Sequence, residues 1–372
     1  GKKYELSQVQ FVCGIAGYVG KFSPKPENLQ KTSIVMEHRG PDDKGFFFHN
    51  TNNQYVALIH RRLAIIDLKT RSSQPFHYND SVLVYNGEIY NYLEVKSNLE
   101  ELGHVFKTKG DTEVLIHALC EWGKEALDKF EGMWSFAWYN KKNRNLLISR
   151  DRFGEKPLFV WNRKDGIFFA SEIKALAALA GEWPKINQKQ VFRNLSNGYR
   201  SLNKTNETYF EGVKELPPGS YAQIDKKGLD SSTSYWKVNL TENHKLSSND
   251  VISMTKDALI NAVKLRMRSD VPIAFCMSGG VDSNSLISIA SKELNCNVHG
   301  FTIVNTDKRY KEKKLVDQAV KELNINHTQV TLSKKNFLSN MRKLVLSHDA
   351  PVSTISYYVH WILMKKICDS GF

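Results

Sequence analysis

The sequence predicts two folds in succession: an α+β domain rich in sheet, then an α/β domain built on a parallel sheet. From Cys13 to about Tyr235, many short apolar runs are broken by turn residues, with few helical stretches between them. Trp236–Asn249, rich in Asn, Ser, Thr and Lys, has no apolar periodicity and reads as a linker. Beyond it, strand-like and helix-like stretches alternate, which is the pattern of a parallel sheet with helices on its faces. These shifts place one domain at 13–235, the linker at 236–250 and a second domain at 251–372.

In the first domain, Cys13 leads into a buried strand. Val56–Ile59, Ala64–Ile66, Val82–Tyr85, Phe136–Tyr139, Leu146–Ser149, Leu158–Trp161 and Ile167–Ala170 read as further strands. Tyr92–Leu102, closed by Gly103, and Thr112–Trp122, closed by Gly123, carry apolar residues at helical spacing. In the second domain the predicted order is helix Val251–Met267, strand Val271–Met277, helix Asn284–Leu294, strand Val298–Val304, helix Lys314–Leu323 and strand Thr328–Leu332. Phe337–His348 and Tyr357–Asp369 read as two more helices, and the second domain is expected to end in mid-fold at Gly371-Phe372.

With 41% hydrophobic and 24% charged residues, the 372-residue chain can bury two cores and falls in the soluble globular class. No apolar run is long enough to span a bilayer and Gly1–Phe11 lacks the apolar region of a signal peptide, so a cytoplasmic enzyme is the expectation. The five cysteines, Cys13, Cys120, Cys276, Cys296 and Cys368, are scattered and odd in number, which indicates neither a disulfide framework nor a zinc site. A net charge of +13 could attract nucleic acid or an anionic nucleotide. The lysines, however, occur singly and in pairs such as Lys141-Lys142 and Lys226-Lys227, without an aromatic platform, and read as solvated turns and helix faces.

The stretch from Cys13 to Gly20 presents a compact nucleophile where the backbone allows close approach, although a cysteine among small apolar residues is commonly inert packing. Hydrolysis of glutamine needs a thiol, a base, donors for an oxyanion, and groups for the α-carboxylate and α-amino group. After the strand Val82–Tyr85, the Asn86 amide and the Gly87 backbone N–H could face an oxyanion, and Glu88 offers a carboxylate to an ammonium. Arg62 offers a planar fork to a carboxylate, and Asp111, just ahead of a helix, a second anion for the amine. Each has a plainer reading, as a hairpin turn, a helix cap or a surface charge. Their joint occurrence with the cysteine favours a site.

In the second domain, Met277-Ser278-Gly279-Gly280-Val281-Asp282-Ser283 lies between a strand and a helix, so its backbone N–H groups can cradle a pyrophosphate. The serines add hydroxyl donors and Asp282 a ligand for Mg²⁺. The stretch lacks the Gly-Lys-Ser/Thr ending of a Walker loop, and a tight βα connection is its plainer reading.

CGIAGYVG, HRGPDDKG (His38–Gly45), HRRLAIID (His60–Asp67), YNGEIYN (Tyr85–Asn91), GDTEV (Gly110–Val114), RDRFGEKPLF (Arg150–Phe159) and ASEIKAL (Ala170–Leu176) resemble, in order, the class II glutamine amidotransferase domain of glutamine-dependent asparagine synthetases. The resemblance implies an N-terminal-nucleophile hydrolase fold, two antiparallel sheets packed between helices. It implies Cys13 as nucleophile, Asn86 and Gly87 as oxyanion hole, and Arg62, Glu88 and Asp111 as glutamine ligands, with the backbone of Ala64, Ile65 and Ile66 close by. HRGPD, RDRFGEKPLF and ASEIKAL are read as mainly structural, their Gly and Pro setting turns. RSDVPIAFCMSGGVDSNSL (Arg268–Leu286) resembles the PP-loop of ATP pyrophosphatases in its asparagine synthetase form. That implies ATP split to AMP and pyrophosphate as a carboxylate is adenylated. Met277 and Ile303 would then lie at the adenine, with Ser278, Gly279, Gly280, Asp282 and Ser283 at the phosphates and Mg²⁺.

Together the two resemblances imply that glutamine ammonia converts aspartate to asparagine. A sugar acid acceptor in polysaccharide assembly and a non-catalytic binding or regulatory homologue are the alternatives. The expected partners are these small molecules, with no nucleic acid and no membrane, and a homodimer is left open.

The chain departs from the family in three places. In the family the cysteine comes first, its α-amino group, of ordinary pKa about 7.7–8.0, serving as base. Here Gly1–Val12 precede it, expected to be either a removed propeptide or a start-codon artefact with GUG read as valine. The second is preferred, since no cleavage site is recognisable. His348–Ser356 stands where many members carry an acidic, Asp/Ser-containing stretch. The Ser-Gly-x-Gly-Ala-Asp-Glu stretch and basic residues expected after Phe372 are absent, so a truncated chain that makes no asparagine by itself is expected.

Overall fold

The computed structural model describes residues 13–51, 54–198, 205–242, 245–304 and 312–372; Gly1–Val12 lie outside them. One compact unit takes in the described residues up to Val238 with His348–Ser353, the other Asn239–Ser347 with Thr354–Phe372.

The first unit is built on β1 (Gly14–Gly20), β2 (Asp43–Thr51), β3 (Gln54–Arg62), β4 (Phe76–Tyr78), β5 (Ser81–Ile89), β6 (Gly132–Asn140), β7 (Asn145–Arg150), β8 (Phe159–Asn162), β9 (Gly166–Ala170), β10 (Val213–Glu215), β11 (Ser220–Asp225), β12 (Gly228–Leu229) and β13 (Thr233–Ser234). They form two antiparallel sheets, ordered β10-β8-β9-β1-β3-β2 and β12-β11-β7-β6-β5-β4, with β13 paired to β11. Ile15, Val19 and Leu58 of one sheet and Val84, Ala137, Ile148 and Ile224 of the other share one buried core between them. Helices α1 (Pro26–Val35), α2 (Tyr92–Glu101), α3 (Asp111–Trp122), α4 (Ile173–Ala180) and α5 (Gln188–Asn197) complete the unit. Leu99, Leu115 and Leu119 pack onto Leu83, Tyr85 and Phe136 on the outer face of one sheet, while Met36 and Leu176 pack onto Ala16, Ile59 and Phe168 on the other. Central strands are therefore covered on both faces, which is why they read as continuous apolar runs. Each fully buried aliphatic contributes about 1.5–3 kcal/mol. This is the N-terminal-nucleophile hydrolase sandwich that the motifs implied.

Most expected elements form, with shifted ends. Ala64–Ile66 is not a strand but a loop: the Ala64 N–H is held by the Asp42 carboxylate at 2.8 Å, and Asp67 turns the chain with φ +49°. Helices α1, α4 and α5 and strands β2 and β11 appear where no element was expected.

In the second unit, helix α6 (Ser248–Arg266) starts on a capping box between Ser247 and Asp250, so helix begins two residues before the end of the expected linker segment. There follow β14 (Ala274–Cys276), α7 (Val281–Ser288) with a π-helical turn to Glu293, β15 (His299–Val304), α8 (Glu312–Leu323), β16 (Asn326–Thr331), α9 (Phe337–His348) and α10 (Ile355–Asp369). The three strands form a parallel sheet in sequence order. The expected strand Val271–Met277 shrinks to three residues; the Ser269 hydroxyl takes the Val271 N–H and Pro272 has none to offer. No helix among the described residues is long and apolar enough to cross a membrane.

Candidate functional site

The register that pairs Gly14 with Arg61 sets Cys13, at the start of β1, beside the end of β3. The Cys13 Sγ accepts from the Leu63 N–H at 3.3 Å and lies 3.5 Å from the Leu63 carbonyl. Its own carbonyl accepts from Arg39 Nε at 3.1 Å. Arg39 is fully buried and donates to Glu172 at 3.0 Å, while His38 contacts the same carboxylate oxygen at 2.8 Å. Burial alone would push Glu172 up, but His38, Arg39 and Lys174 outweigh it and hold the carboxyl well below the usual range. The HRGPD and ASEIKAL stretches thus fix the backbone of the cysteine.

Asn86, Gly87 and Glu88 arrive from the facing sheet at the end of β5. The two sheets are tied at this point by His60 of β3, whose Nε2 lies 3.0 Å from the Tyr85 carbonyl. Burial brings the His60 pKa down to about 3, so the ring is neutral and donates to that carbonyl. Gly87 lies against β6, where an added Cβ would stand 2.1 Å from the Met133 carbonyl; only glycine fits. Asn86 is fully buried, with its Nδ2 3.4 Å from the Ser135 hydroxyl and its Oδ1 without a hydrogen-bond partner among the described residues. A half-turn of the amide would give that oxygen the Ser135 hydroxyl and free the N–H groups.

Cys13, Arg62, Ile65, Ile66, Asn86, Gly87, Glu88 and Asp111 all line one cavity of about 30 Å³. Ala64, expected beside them, does not, because Asp42 holds its N–H. Arg62 is buried and donates to the Lys69 and Asp67 carbonyls at 2.9 and 2.5 Å, which aims its guanidinium. Asp111 is the first residue of α3 rather than its cap, and one of its oxygens accepts from Tyr85 Oη at 2.8 Å and the Ile89 N–H at 3.0 Å. Burial raises Asp111 above the ordinary range, and burial with the Asp111 charge lifts Glu88 to about 7. Five further residues shape the pocket: Leu63, Gln74, Tyr85, Thr112 and Lys156. Lys156, from the RDRFGEKPLF stretch, is the one whose chemistry the composition of that motif concealed.

In the second unit, Met277, Ser278 and Ile303 line a cavity of about 370 Å³, with Thr302, Glu312, His327 and His360. Met277 is buried, its Sδ resting where a Cβ on Gly300 would stand 2.3 Å away. Of the turn from Ser278 to Ser283 only Ser278 lines this cavity, and Gly279, Gly280, Asp282 and Ser283 do not. The turn is internally bonded, the Ser278 N–H donating to Ser283 Oγ at 3.2 Å and the Gly280 N–H to Ser278 Oγ at 3.1 Å. The Gly279 N–H meets the Glu312 carboxylate at 3.4 Å, so this N–H faces an anionic oxygen. These residues fit a nucleotide. Asp282 is exposed at the start of α7, and among the described residues no group of three or more His, Cys, Asp or Glu could hold a metal ion alone.

Residues 12–236 match the glutamine amidotransferase domain family and residues 254–372 the asparagine synthase family. Glutamine-hydrolyzing asparagine synthetase 1 of Bacillus subtilis is 31% identical over 355 residues, 91% of this chain and 54% of its own length. A protein of Methanocaldococcus jannaschii named as a second glutamine-hydrolyzing asparagine synthetase is 31% identical over 373 residues, 93% of this chain and 70% of its own. The chain thus spans about half the length of the Bacillus relative. Among solved structures, glutamine phosphoribosylpyrophosphate amidotransferase from B. subtilis aligns with a TM-score of 0.46 at 14% identity, over 94% of this chain and 92% of that one.

Proposed function

The chain belongs to the glutamine-dependent asparagine synthetase family, and from that premise we propose that it releases ammonia from glutamine at Cys13 and amidates a carboxylate, aspartate, at the expense of ATP. The observation that carries the first half is the convergence of Cys13, Asn86, Gly87, Arg62, Glu88 and Asp111 on one cavity. In this reading Arg62 grips the glutamine α-carboxylate, while Glu88 and Asp111 take the α-ammonium. The Cys13 sulfur attacks the side-chain amide carbon and gives its proton to a base, the free α-amino group of a cysteine that stands first. The carbonyl electron pair moves onto oxygen, met by the Asn86 amide and the Gly87 N–H. When it returns, the C–N bond breaks, ammonia leaves with a proton, and water releases glutamate from the thioester.

The second half rests on the Met277–Ser283 turn and its cavity. Ser278, Gly279, Gly280 and Ser283 would hold the ATP phosphates, Met277 and Ile303 the adenine, and Asp282 a Mg²⁺ completed by phosphate oxygens. Bound Mg·ATP supplies the activation of the acceptor carboxylate. His348–Ser356 favours a second reading, in which the acceptor is a sugar acid, since this stretch lacks the expected acidic pattern.

The test is glutamate release by the purified protein, with the N-terminus of the same sample sequenced. Protein beginning at Cys13 should turn over glutamine and Cys13→Ala should not; no release by such protein rejects the reading. Amide formation from aspartate or a uronic acid, with AMP counted, separates the acceptors.

A further inference from the structure

Lys156 is 6% exposed, yet among the described residues its ammonium has neither a hydrogen bond nor an ion pair. Its backbone is fixed, the N–H donating to Asp151 at 3.0 Å and the carbonyl accepting from Arg150 Nε at 2.8 Å, so the side chain is aimed rather than loose. Burial lowers the Lys156 pKa, and the Glu88 carboxylate in the same pocket acts against that. A buried cation without a hydrogen bond is costly, a cost not spent on packing when Met would fill the same space. A second cation bearing on Cys13 is Arg62, and its guanidinium is engaged by two carbonyls.

We propose that Lys156 is a further functional residue of the cysteine pocket, its ammonium, free of hydrogen bonds among the described residues, holding the negative charge that forms on the Cys13 sulfur. In the step it serves, the S–H bond breaks heterolytically, the pair stays on sulfur and the proton leaves to a base or solvent. Every charged group around the thiol bears on that step: Arg62 from β3 helps, Asp111 from α3 and Glu88 from β5 oppose, Tyr85 is neutral, and Arg39 engages the cysteine carbonyl. Burial pushes the Cys13 thiol up, and Lys156 is the first side-chain charge acting against it.

The inference rests on Cys13 as the nucleophile but not on turnover. The full chain is treated with iodoacetamide across pH 6–10, and the Cys13 peptide is followed by mass spectrometry, with Cys120 and Cys276 peptides as internal references. Lys156→Met should raise the pH midpoint of Cys13 alkylation by about one unit, slowing the reaction about tenfold at pH 7. Lys156→Arg should keep the midpoint, and the reference cysteines should not move. An unchanged midpoint in Lys156→Met overturns the proposal, as does an equal shift in Lys156→Arg. A raised KM for glutamine with the midpoint unmoved would make the ammonium a substrate grip and also overturns it. Absence of glutamine turnover with the shift present would count against the proposed activity alone.

Discussion

Arg39 Nε reaches the Cys13 carbonyl at 3.1 Å while its NH1 donates to Glu172 at 3.0 Å, so a buried ion pair positions the backbone of Cys13. Replacing Arg39 by Met leaves Glu172 buried against His38 and Lys174 only. The expected loss is about 3 kcal/mol or more in urea unfolding, together with slower reaction of Cys13. A loss under about 1 kcal/mol would show the pair to be dispensable.

His60 titrates at about 3 in the folded chain against an ordinary value of 6.5. The unfolded chain therefore takes up this proton first, and stability falls as pH drops through 6.5 toward 3, by at most about 1.4 kcal/mol per pH unit. His60→Gln, which keeps a donor for the Tyr85 carbonyl, should match the parent at pH 8 and exceed it at pH 5. Parallel unfolding curves at both pH values would refute this.

Glu88 is lifted to about 7, so the folded state holds its proton more tightly than the unfolded chain and loses stability as pH rises from 4.5 through 7. Glu88→Gln should raise the melting temperature at pH 8 and leave it unchanged at pH 4. If Glu88 binds the glutamine ammonium, KM should climb as pH falls below 7, by up to about tenfold per unit, and Glu88→Gln should flatten that climb. A pH-independent KM in the parent would exclude the role.

Gly300→Ala places a methyl 2.3 Å from the Met277 sulfur, which must shift, and Met277 lines the cavity of about 370 Å³ proposed to take ATP. ATP affinity should fall about tenfold in calorimetry, while the sheet survives, a loss of about 1.4 kcal/mol in binding. Unchanged affinity would remove Met277 from the adenine site.

That Cys13, Asn86, Gly87, Arg62, Glu88 and Asp111 belong to one cluster was legible because each combines a distinctive residue type with a fixed place at an end of a strand or the start of a helix. Lys156 was not. A lysine between Glu155 and Pro157 reads as a turn, and nothing local says that its ammonium is buried. His60 and Arg39 were hidden for the same reason, since their partners lie 25 and 133 positions away. Ala64-Ile65-Ile66 looks like a strand by composition, but the Asp42 carboxylate and the left-handed turn at Asp67 outvote its β-propensity. Helix α4, Ile173–Ala180, is apolar nearly all round, so it lacks the polar stripe by which a helix is recognised.

Cys13 rides on one sheet and Asn86 and Gly87 on the other, and between them runs the apolar layer of Val19, Leu58, Val84 and Ile148. The thickness of that layer sets how far Cys13 stands from Asn86 and Gly87. A core side chain trimmed far from the cavity lets the sheets settle toward each other, and one enlarged wedges them apart, so substitutions there act on the cavity as a spacer acts on an electrode gap.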